Sequence, residues 1–404
     1  MPESMSGRYS LGILSTHPIQ YHSAWFRALA AHPELDVHVY YCHKASPAEQ
    51  ARAGFGVEFD WDIPLLDGYS YSFLSNVADA TSRGGFAKYD PPEIGDVIRR
   101  RKHDAILVNG WHYKRAWQAI WACWQANVKV LVRSDSHLQT PRNMAKRAVK
   151  SLTYSRFIPR FDACLAVGQW SREYFLHYGA EPDRIFLVPH AIENERFATE
   201  SARLGLRRQE FRERWGLDEH SIVFMFAGKF IPKKRPLDFV RAMAKLTCRG
   251  TTVEGLMVGD GPLRTQCEDA VRDWQLPIRF AGFLNQSAIT TAYVAADALV
   301  LPSDGGETWG LVVNEAMACG LPCIVSDKVG CGPDLIDRDE TGAIYPLGDV
   351  GALAEAMRHV ATDRRALAAM GARARKRIGG HSVDAAVDGV MGCLATFAAV
   401  EATR

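Results

Sequence analysis

Short apolar runs alternate with amphipathic stretches along most of the chain. Nearly continuous apolar runs of this length are typical of strands that are buried on both faces of a sheet. In the first half they predict strands over Tyr9–Ser15, Leu35–Cys42, Asp104–Asn109, Val128–Arg133, Ala163–Val167 and Ile185–Val188. Helical patterns follow two of these strands, over Ser23–Ala31 and Lys114–Ala126. Such alternation predicts parallel βαβ units, and therefore an α/β fold.

The same rhythm restarts after a polar, arginine-rich segment at 194–219, which we interpret as a linker with a surface helix. The strands predicted beyond it are Ile222–Ala227, Gly255–Val258, Ile278–Ala281, Ala298–Leu301 and Cys323–Ser326. The helices predicted between and after them are Pro236–Leu246, Leu263–Trp274, Gln286–Ala296 and Leu311–Cys319. This second set predicts a second doubly wound sheet.

The predicted organisation is therefore two Rossmann-like α/β domains. The first covers 1–193, the linker 194–219 and the second domain 220–380. A last apolar stretch, Val383–Val400, predicts a helix within 381–404 that packs back on the first domain. We expect the two sheets to face each other across a cleft. Because ligands bind at the carboxyl ends of parallel strands and at domain interfaces, we expect the ligand site in that cleft.

Composition narrows the class of protein. Hydrophobic residues make up 47% of the 404 positions and charged residues 23%, with a net charge of +2, which gives no support for a nucleic-acid partner. The start of the chain is polar and the nine cysteines show no paired spacing, so we expect a cytoplasmic protein with reduced thiols. Cys319 and Cys323 lack a second pair of metal ligands and are interpreted as core residues.

A basic, amphipathic stretch runs from Arg142 to Arg160. Such a stretch could lie on anionic lipid, which would make the protein peripheral on the inner face of a membrane. The alternative is a solvated helix face that packs its apolar side inward. No run of eighteen apolar residues predicts a membrane span.

The strongest chemical signal is the run DGGETWGLVVNEAMACGLPCIVSD at 304–327. A strand ends before it, and a glycine-rich turn then presents Glu307. Gly310 permits a close approach of backbone to ligand, and a helix begins near Leu311. The first amides of a helix and its positive dipole end form an anion site, so the amides of Leu311 and Val312 are candidate phosphate ligands.

A second carboxylate, Glu315, lies about one turn into this predicted helix. One carboxylate of the Glu307 and Glu315 pair could reach a sugar while the other reaches a ribose hydroxyl. Two carboxylates also resemble the acid and base of a glycosidase, but the adjacent phosphate site argues against simple hydrolysis.

Basic residues follow the first strand of the second domain, in AGKFIPKKRP at 227–236. Gly228, Lys229 and Lys234 lie at the carboxyl end of that strand, where two ammonium groups could neutralise a departing pyrophosphate. The alternative is a pair of solvated loop lysines. A glycine turn after another strand, VGDGP, adds Gly259 and Gly261 as weaker candidates. It lacks the third glycine of the dinucleotide fingerprint, and no Walker lysine motif occurs.

These three elements, in this order, closely resemble retaining glycosyltransferases of family 4, which have the GT-B fold. The resemblance is dense from about Ile222 to Pro346, and its most specific motif is the E-x7-E run. It implies that Glu307 contacts the donor sugar, that Glu315 contacts the ribose, and that Lys229 and Lys234 bind the diphosphate. The usual arginine of the family is here Lys229, and the usual glycine after the lysine is Arg235.

The resemblance implies a retaining, metal-independent transfer from a nucleotide-sugar, such as a UDP- or GDP-sugar, with no other cofactor. The acceptor would be a hydroxyl of a sugar, a lipid-linked sugar or a small molecule, in glycan, lipid-linked or small-molecule glycoside biosynthesis. The alternatives are a nucleotide-sugar epimerase, a phosphorylase, or an inactive sugar-binding protein on the same fold. The strings Asp60–Asp62 and Asp337–Asp339 are interpreted as surface matches, because two carboxylates alone do not hold a cation.

The first domain of the family receives the acceptor and lends a histidine to the reaction centre. His112, which follows a predicted strand, is the candidate, and His137 is its rival. The family often has a Gly-Gly turn after its first strand, and this chain has STHPIQYH there instead. We expect acceptor contacts from Thr16, His17, Gln20 and Tyr21, and from His137.

Overall fold

The structure, a computed structural model, describes residues 8–78, 85–140, 144–247 and 252–402, with the side chains of 145–147 and 400–402 outside the description. The chain divides into two compact units. Unit 1 comprises Met1–Ala45, Pro64–His190 and Val383–Arg404, and unit 2 comprises Ser46–Ile63 and Ala191–Ser382. Residues 46–63, which the sequence analysis placed in the first domain, thus cluster with the second.

Each unit is built on one parallel sheet. The strands of unit 1 are β1 Tyr9–Ser15, β2 Leu35–Tyr41, β3 Ser70–Phe73, β4 Ala105–Asn109, β5 Lys129–Ser134, β6 Ala163–Ala166 and β7 Ile185–Leu187, in the order β3-β2-β1-β4-β5-β6-β7. The strands of unit 2 are β8 Ile222–Ala227, β9 Val253–Val258, β10 Ile278–Gly282, β11 Ala298–Leu301, β12 Cys323–Ser326 and β13 Gly342–Tyr345, in the order β10-β9-β8-β11-β12-β13. The predicted α/β fold with two doubly wound sheets is confirmed.

Helices flank both sheets. In chain order they are α1 Gln20–Ala31, α2 Pro47–Gln50, α3 Ile94–Arg101, α4 Lys114–Ala126, α5 Met144–Phe157, α6 Gln169–His177, α7 Asn194–Gly205, α8 Arg208–Arg214, α9 Pro236–Thr247, α10 Arg264–Asp273, α11 Ile289–Ala295, α12 Leu311–Ala318, α13 Gly332–Leu335, α14 Val350–Val360, α15 Arg364–Ile378 and α16 Val383–Ala402. Helix α16 contributes Val390 and Cys393 to the core of unit 1, where both are buried beside β6 and β7.

The sequence pattern did not predict two of the strands, β3 and β13, nor several of the helices, among them α3, α6, α14 and α15. β3 has mostly exposed side chains and so lacks the apolar run of a buried strand, whereas β13 was not predicted although three of its four residues are buried. The polar segment at 194–219 folds into α7 and α8, because Phe197, Leu204 and Phe211 bury one stripe of these two helices.

The amphipathic stretch after Arg142 is helical where the structure describes it. Arg142 itself lies outside the described residues, and α5 begins at Met144 with exposed Met144, Val149 and Leu152. Lys150 of this helix lies over the ring of Tyr174, with its ammonium 4.6 Å from the ring centroid. None of the helices in the described ranges is long and apolar enough to cross a membrane.

Candidate functional site

The central strands of unit 2 place two loops side by side. The sequence order of the sheet reverses between β8 and β11, which pair directly through Ala298 and Phe224. At such a switch point the loops after the two strands diverge to opposite faces and leave a crevice at the carboxyl ends. The loop after β8 carries the predicted lysines, and the loop after β11 carries Glu307.

Lys234 and Glu307 form an ion pair at this point, and each side chain is only 11% exposed. Lys234 ends a short 3-10 turn, Pro232–Lys234, and the neighbouring Lys233 donates to the carbonyl oxygen of Gly306 at 3.1 Å. Burial favours the neutral acid, but the charges of Lys234 and Lys233 outweigh it and lower the pKa of Glu307 from its usual value of 4.5. Glu307 is therefore an ionised carboxylate inside a cationic loop.

Arg235, which stands where the family has glycine, adopts the left-handed conformation with φ of 51° and ψ of 48°. This is the region in which glycine is favoured, because it lacks the Cβ that crowds the backbone there. The Arg235 guanidinium donates to the Asp238 carboxylate at 2.6 Å. The departure from the family pattern thus keeps the turn and adds a contact to α9.

The N-terminus of α12 lies beside Glu307. Its N-cap residue, Gly310, has a φ of 103°, and a Cβ there would lie 2.9 Å from the Leu301 side chain and 3.6 Å from Cγ of Glu307. The amide of Val313 makes the first backbone bond of the helix, to the Gly310 carbonyl at 2.8 Å. The amides of Leu311 and Val312 precede that bond, as expected of the donors of a helix N-terminus.

Glu315 lies in α12 but is held away from solvent, with 2% exposure. Its Oε1 accepts from Gln286 at 3.2 Å and its Oε2 from the Tyr293 hydroxyl at 2.7 Å. Arg196 in turn donates to Gln286 at 2.7 Å. These bonds fix the orientation of the Glu315 carboxylate in the interior of unit 2.

The two glycine turns pack against each other. The Gly228 amide donates to the Val258 carbonyl at 3.0 Å, and the Phe230 amide to the Asp260 carbonyl at 2.8 Å. Gly259 has a φ of 123°, and a Cβ on it would lie 2.0 Å from the Gly228 oxygen, so only glycine fits there. The predicted glycines thus shape the loop that carries Lys229 and Lys234.

A segment missed by the sequence analysis covers this loop. Residues Ser46–Ile63, called here the aromatic segment, belong to unit 2 and reach it from the loop after β2. Lys229 donates to the carbonyl of Ala53 at 2.8 Å, and its ammonium lies 4.0 Å from the ring centroid of Phe55. Burial, followed by the charges of Lys233 and Lys234, lowers the pKa of Lys229 to about 8.

Aromatic rings anchor the segment on unit 2. Phe59 lies 4.3 Å from Phe283 and 4.9 Å from Trp61 between ring centroids, and Phe55 lies 5.8 Å from Phe283. The aromatic run FGVEFDW at 55–61 is the one sequence signal that could have indicated a packed element here.

The two Asp-x-Asp strings are both engaged by neighbouring side chains. In the aromatic segment the Asp60 carbonyl accepts from Asn285 at 2.7 Å, and Asp62 accepts from the Ser287 amide at 3.2 Å. Asp339 pairs with His359 at 3.2 Å. Within the described ranges, no group of three or more His, Cys, Asp or Glu side chains is arranged to hold a metal ion. Cys319 and Cys323 are free thiols, as are the six other cysteines in these ranges.

Unit 1 has a polar pocket of about 270 Å³ at its own switch point, between β1 and β4. It is lined by residues at or after the carboxyl ends of β1, β4 and β5, by one residue each of α1 and α4, and by a histidine after β7: Ser15, Thr16, His22, Asn109, Gly110, His112, Tyr113, Arg115, Arg133, Ser134, Asp135 and His190. We call it the unit 1 pocket. It lies where Rossmann-like sheets bind ligands.

Two of the residues predicted for the acceptor side, Thr16 and His112, line this pocket. His17 lies next to it, hydrogen-bonded to Thr16 at 3.1 Å, whereas Gln20 and Tyr21 form the first turn of α1. His137 is 1% exposed and packs 5.4 Å from Trp170, outside the lining set. Arg133 and His190 were not predicted, because strand ends that are far apart in the chain bring them to this pocket.

Hydrogen bonds order the back of the unit 1 pocket. The Asn109 amide donates to Nδ1 of His22 at 3.2 Å, and the Arg133 guanidinium donates to Nδ1 of His190 at 3.3 Å. The two imidazole rings stack with centroids 6.4 Å apart. Burial and then the Arg133 charge lower the pKa of both histidines below 6.5, so both are neutral at pH 7.

Comparisons with known proteins match both halves of the chain. Residues 18–191 match the glycosyl transferase 4-like domain, and residues 207–377 match glycosyl transferases group 1. The D-inositol 3-phosphate glycosyltransferase of Rhodococcus jostii is 30% identical over 378 residues, which is 86% of this chain and 81% of that protein. The N-acetyl-alpha-D-glucosaminyl L-malate synthase of Bacillus anthracis is 30% identical over 171 residues, which is 42% of this chain and 44% of that enzyme.

For several curated relatives, among them the enzyme of Bacillus anthracis, the match to this chain covers less than half of the relative's own length. Among solved structures, HepE of Anabaena in complex with UDP has a TM-score of 0.73 at 15% identity, over 96% of this chain and 100% of that one. The structural likeness supports the same two-domain GT-B fold. By the two family models and the relative in Rhodococcus jostii, the chain belongs to the family 4 glycosyltransferases.

Proposed function

We propose that this protein transfers a glycosyl group from a nucleoside diphosphate-sugar to a hydroxyl acceptor, with retention of configuration at the anomeric carbon. The observation that carries the proposal is the buried ion pair of Lys234 and Glu307 beside the N-terminus of α12. A diphosphate needs several positive groups and free amides at one place, and a donor sugar needs an acceptor of hydrogen bonds next to them. This corner of unit 2 offers both.

The diphosphate is held by the amides of Leu311 and Val312 and by the ammonium groups of Lys229 and Lys234. These positive groups stabilise the charge that develops on the leaving group as its bond to the sugar breaks. We infer that this charge stabilisation comes from the protein itself, so that transfer proceeds without a divalent metal. Turnover in the presence of a chelator tests that part directly.

Glu307 binds hydroxyls of the donor sugar, and its low pKa keeps it an acceptor through the neutral range. The bond between the anomeric carbon and the phosphate oxygen breaks, and the acceptor oxygen bonds to the same face of that carbon. The proton of the acceptor hydroxyl passes to the departing phosphate oxygen. Glu315 contacts the ribose, with its carboxylate oriented by the hydrogen bonds from Gln286 and Tyr293.

A uridine nucleotide is the first donor to test, because HepE of Anabaena, which shares the fold, has been solved with UDP. The relative in Rhodococcus jostii is named for inositol 3-phosphate and that in Bacillus anthracis for L-malate, so small hydroxylated acceptors are the first class to test. The family 4 resemblance leaves GDP-sugars as the second donor class.

Donor and acceptor screening by mass spectrometry tests the proposal. Each UDP- and GDP-sugar is incubated with a pool of polyols, hydroxy acids and sugars, and both the free nucleotide diphosphate and the glycoside are quantified. We expect a glycoside whose anomeric proton coupling, measured by NMR, matches that of the donor. The chelator EDTA should leave the rate unchanged.

Other outcomes of this screen separate the rival functions. Nucleotide release without a glycoside would indicate hydrolysis, and an epimerised nucleotide-sugar would indicate an epimerase. Phosphate-dependent cleavage of a glycoside would indicate a phosphorylase. Nucleotide binding without any turnover would indicate an inactive sugar-binding protein, and each of these results would contradict the proposed transfer.

A further inference from the structure

The unit 1 pocket contains two arginines that are almost completely buried. Arg133, near the end of β5, is 3% exposed, and Arg115, in the first turn of α4, is 1% exposed; both line the pocket. Burying a guanidinium costs several kcal/mol unless hydrogen bonds and a counter-charge compensate it. Both guanidinium groups therefore need hydrogen-bond acceptors and a negative charge close by.

Backbone carbonyls take up most of their donors. Arg115 donates to the carbonyls of Leu14 at 3.3 Å, Asn109 at 2.7 Å and Gly110 at 3.3 Å. Arg133 donates through Nε and Nη2 to the carbonyl of Val188 at 3.3 Å, and through Nη2 to that of Pro189 at 3.1 Å. Carbonyls satisfy hydrogen bonds, but they carry no net negative charge to balance a cation.

One nitrogen of Arg133 is left over. Nε and Nη2 make all the hydrogen bonds of its guanidinium in the described part of the chain, and none of these bonds uses Nη1. The plane of the guanidinium is fixed by these bonds and by the Trp25 ring, whose centroid lies 4.7 Å from Cζ. Nη1 is thus a charged donor, held in one orientation, on a side chain that lines the pocket.

The remaining charges around the pocket do not balance the two arginines. Of the described residues that line it, Asp135 is the single carboxylate, and its side chain is 42% exposed and 3.9 Å from His190. Burial lowers the pKa of His22 and His190, and partial desolvation also lowers that of His112, so these rings are neutral at pH 7. The lining therefore carries two positive charges and one negative charge, with the negative charge at the rim.

We propose that the unit 1 pocket binds an anionic group of the acceptor, a carboxylate or a phosphate monoester, with Nη1 of Arg133 as its charged donor. At about 270 Å³ the pocket falls below the usual range for drug-sized ligands, which suits one small polar group. An oxyanion would supply the missing negative charge and form a charge-assisted hydrogen bond with the arginine. The identification of this ligand as the acceptor rests on the proposed transferase function, but the anion site itself does not.

Inorganic phosphate is the probe that tests the site without knowledge of the acceptor. The imidazole resonances of His22 and His190 are followed by NMR in the full chain during a phosphate titration, with sodium chloride at equal ionic strength as reference. The titration uses the Lys234→Ala variant, in which the donor site of unit 2 is weakened. We expect saturable shifts of both histidines with phosphate and none with chloride.

Arg133→Lys keeps the charge but loses the fork that fixes Nη1. We expect this substitution to raise the phosphate concentration at half-saturation (the midpoint) about ten-fold or more, because hydrogen bonds to charged groups are among the stronger ones. Arg27→Lys is the matched control, because Arg27 also donates to backbone carbonyls of unit 1, those of Asp67 and Pro64, but lies outside the pocket lining. That control should leave the midpoint unchanged.

A second variant covers the case in which Arg133→Lys does not fold. Asn109→Asp is nearly isosteric and places a negative charge in the lining, so it should abolish the phosphate-dependent shift of His190 while circular dichroism stays unchanged. Absence of a phosphate effect in the parent protein, or an unchanged midpoint in a folded Arg133→Lys or Asn109→Asp protein, would overturn the proposal. UDP binding, measured separately on the wild-type chain, reports on the proposed donor function and not on this site.

Discussion

The two units use the same position in their sheets in different ways. In unit 2 the switch point between β8 and β11 carries lysines and a helix N-terminus, with the ion pair of Lys234 and Glu307 beside them. In unit 1 the switch point between β1 and β4 carries arginines and neutral histidines, with Arg133 tied to carbonyls of the chain after β7. One is a set of point charges on a loop, and the other is a rigid guanidinium in a polar pocket.

This difference fits two different tasks. A leaving group gains charge during the reaction, and ammonium groups on flexible stems can follow it as the bond lengthens. An acceptor must instead be held in one orientation, and a planar guanidinium fixed by backbone carbonyls does so with little loss of entropy on binding. Substitutions in unit 2 test whether this unit carries the leaving-group chemistry.

The largest effect is expected from Lys234→Ala. It removes the cation that pairs with Glu307 and lies against the Gly228 turn, so the kcat/KM for the nucleotide-sugar should fall by about 100-fold or more. Lys234→Arg should recover part of this loss because it restores the charge. Steady-state kinetics with the best donor of the screen provides the measurement.

Lys245→Ala is the matched control for this variant. Lys245 is an exposed lysine of α9 in the same unit, and its removal should leave kcat/KM unchanged. A thermal melt of each protein shows whether loss of the buried pair also lowers Tm. A folded Lys234→Ala enzyme that keeps nearly full kcat/KM would remove Lys234 from the donor site.

A smaller effect is expected from Glu315→Gln. The amide has one acceptor oxygen, whereas the carboxylate accepts from both Gln286 and Tyr293, so one of these two buried hydrogen bonds to residue 315 is lost. We expect a loss of stability of about 1–3 kcal/mol and UDP binding about ten-fold weaker. Denaturant unfolding and calorimetry measure the two effects, and Glu355→Gln on the exposed face of α14 is the control. Unchanged UDP affinity would contradict a ribose contact.

The sequence predicted unit 2 better than unit 1, and the reason lies in chain distance. Lys229 and Lys234 follow one strand and Glu307, Gly310 and Glu315 follow another, so each half of the site can be recognised from contiguous residues. Once the strand order is known, the loops after β8 and β11 are expected to lie side by side, which brings the two halves of the site together. The sequence could not show that Glu315 is buried beneath Gln286 and Tyr293, because those contacts depend on packing of α11.

The unit 1 pocket depends on side chains that are far apart in the sequence. His22, Asn109, Arg133 and His190 come from four elements, and no spacing links them. In the sequence, Arg133 is marked only by its place at the end of an apolar strand, where a buried arginine is unusual. The aromatic segment escaped prediction for a similar reason, since its partner Phe283 lies more than two hundred residues further along.

Phe55→Leu tests the aromatic segment as a support of Lys229. Leucine keeps an apolar side chain but has no ring face for the ammonium, so we expect the KM for the nucleotide-sugar to rise about three- to ten-fold with a smaller change in kcat. Phe55→Tyr retains the ring and should restore the KM. Val57→Ala, in the same segment, is the control for packing. A Tyr variant as impaired as the Leu variant would exclude a role for the ring.

The smallest effect concerns the pH dependence of donor binding. Burial, with the charges of Lys233 and Lys234, lowers the pKa of Lys229 to about 8, while Glu307 acts in the opposite direction. Lys229 is therefore charged below about pH 8 and loses its charge as the pH rises through that value. Since kcat/KM reports the groups of the free enzyme, it should fall on the alkaline side with a midpoint near that pH.

Lys229→Arg places the residue usual in the family at this position, and its guanidinium stays charged throughout the accessible range. The alkaline limb of kcat/KM should then move to higher pH, while the value near pH 7 changes by only a few-fold because both side chains are charged there. Lys245→Arg should leave the limb in place. If the alkaline fall of kcat/KM occurs at the same pH in Lys229→Arg and in the wild type, a group other than Lys229 controls that fall. The charge of Lys229 would then not limit donor binding.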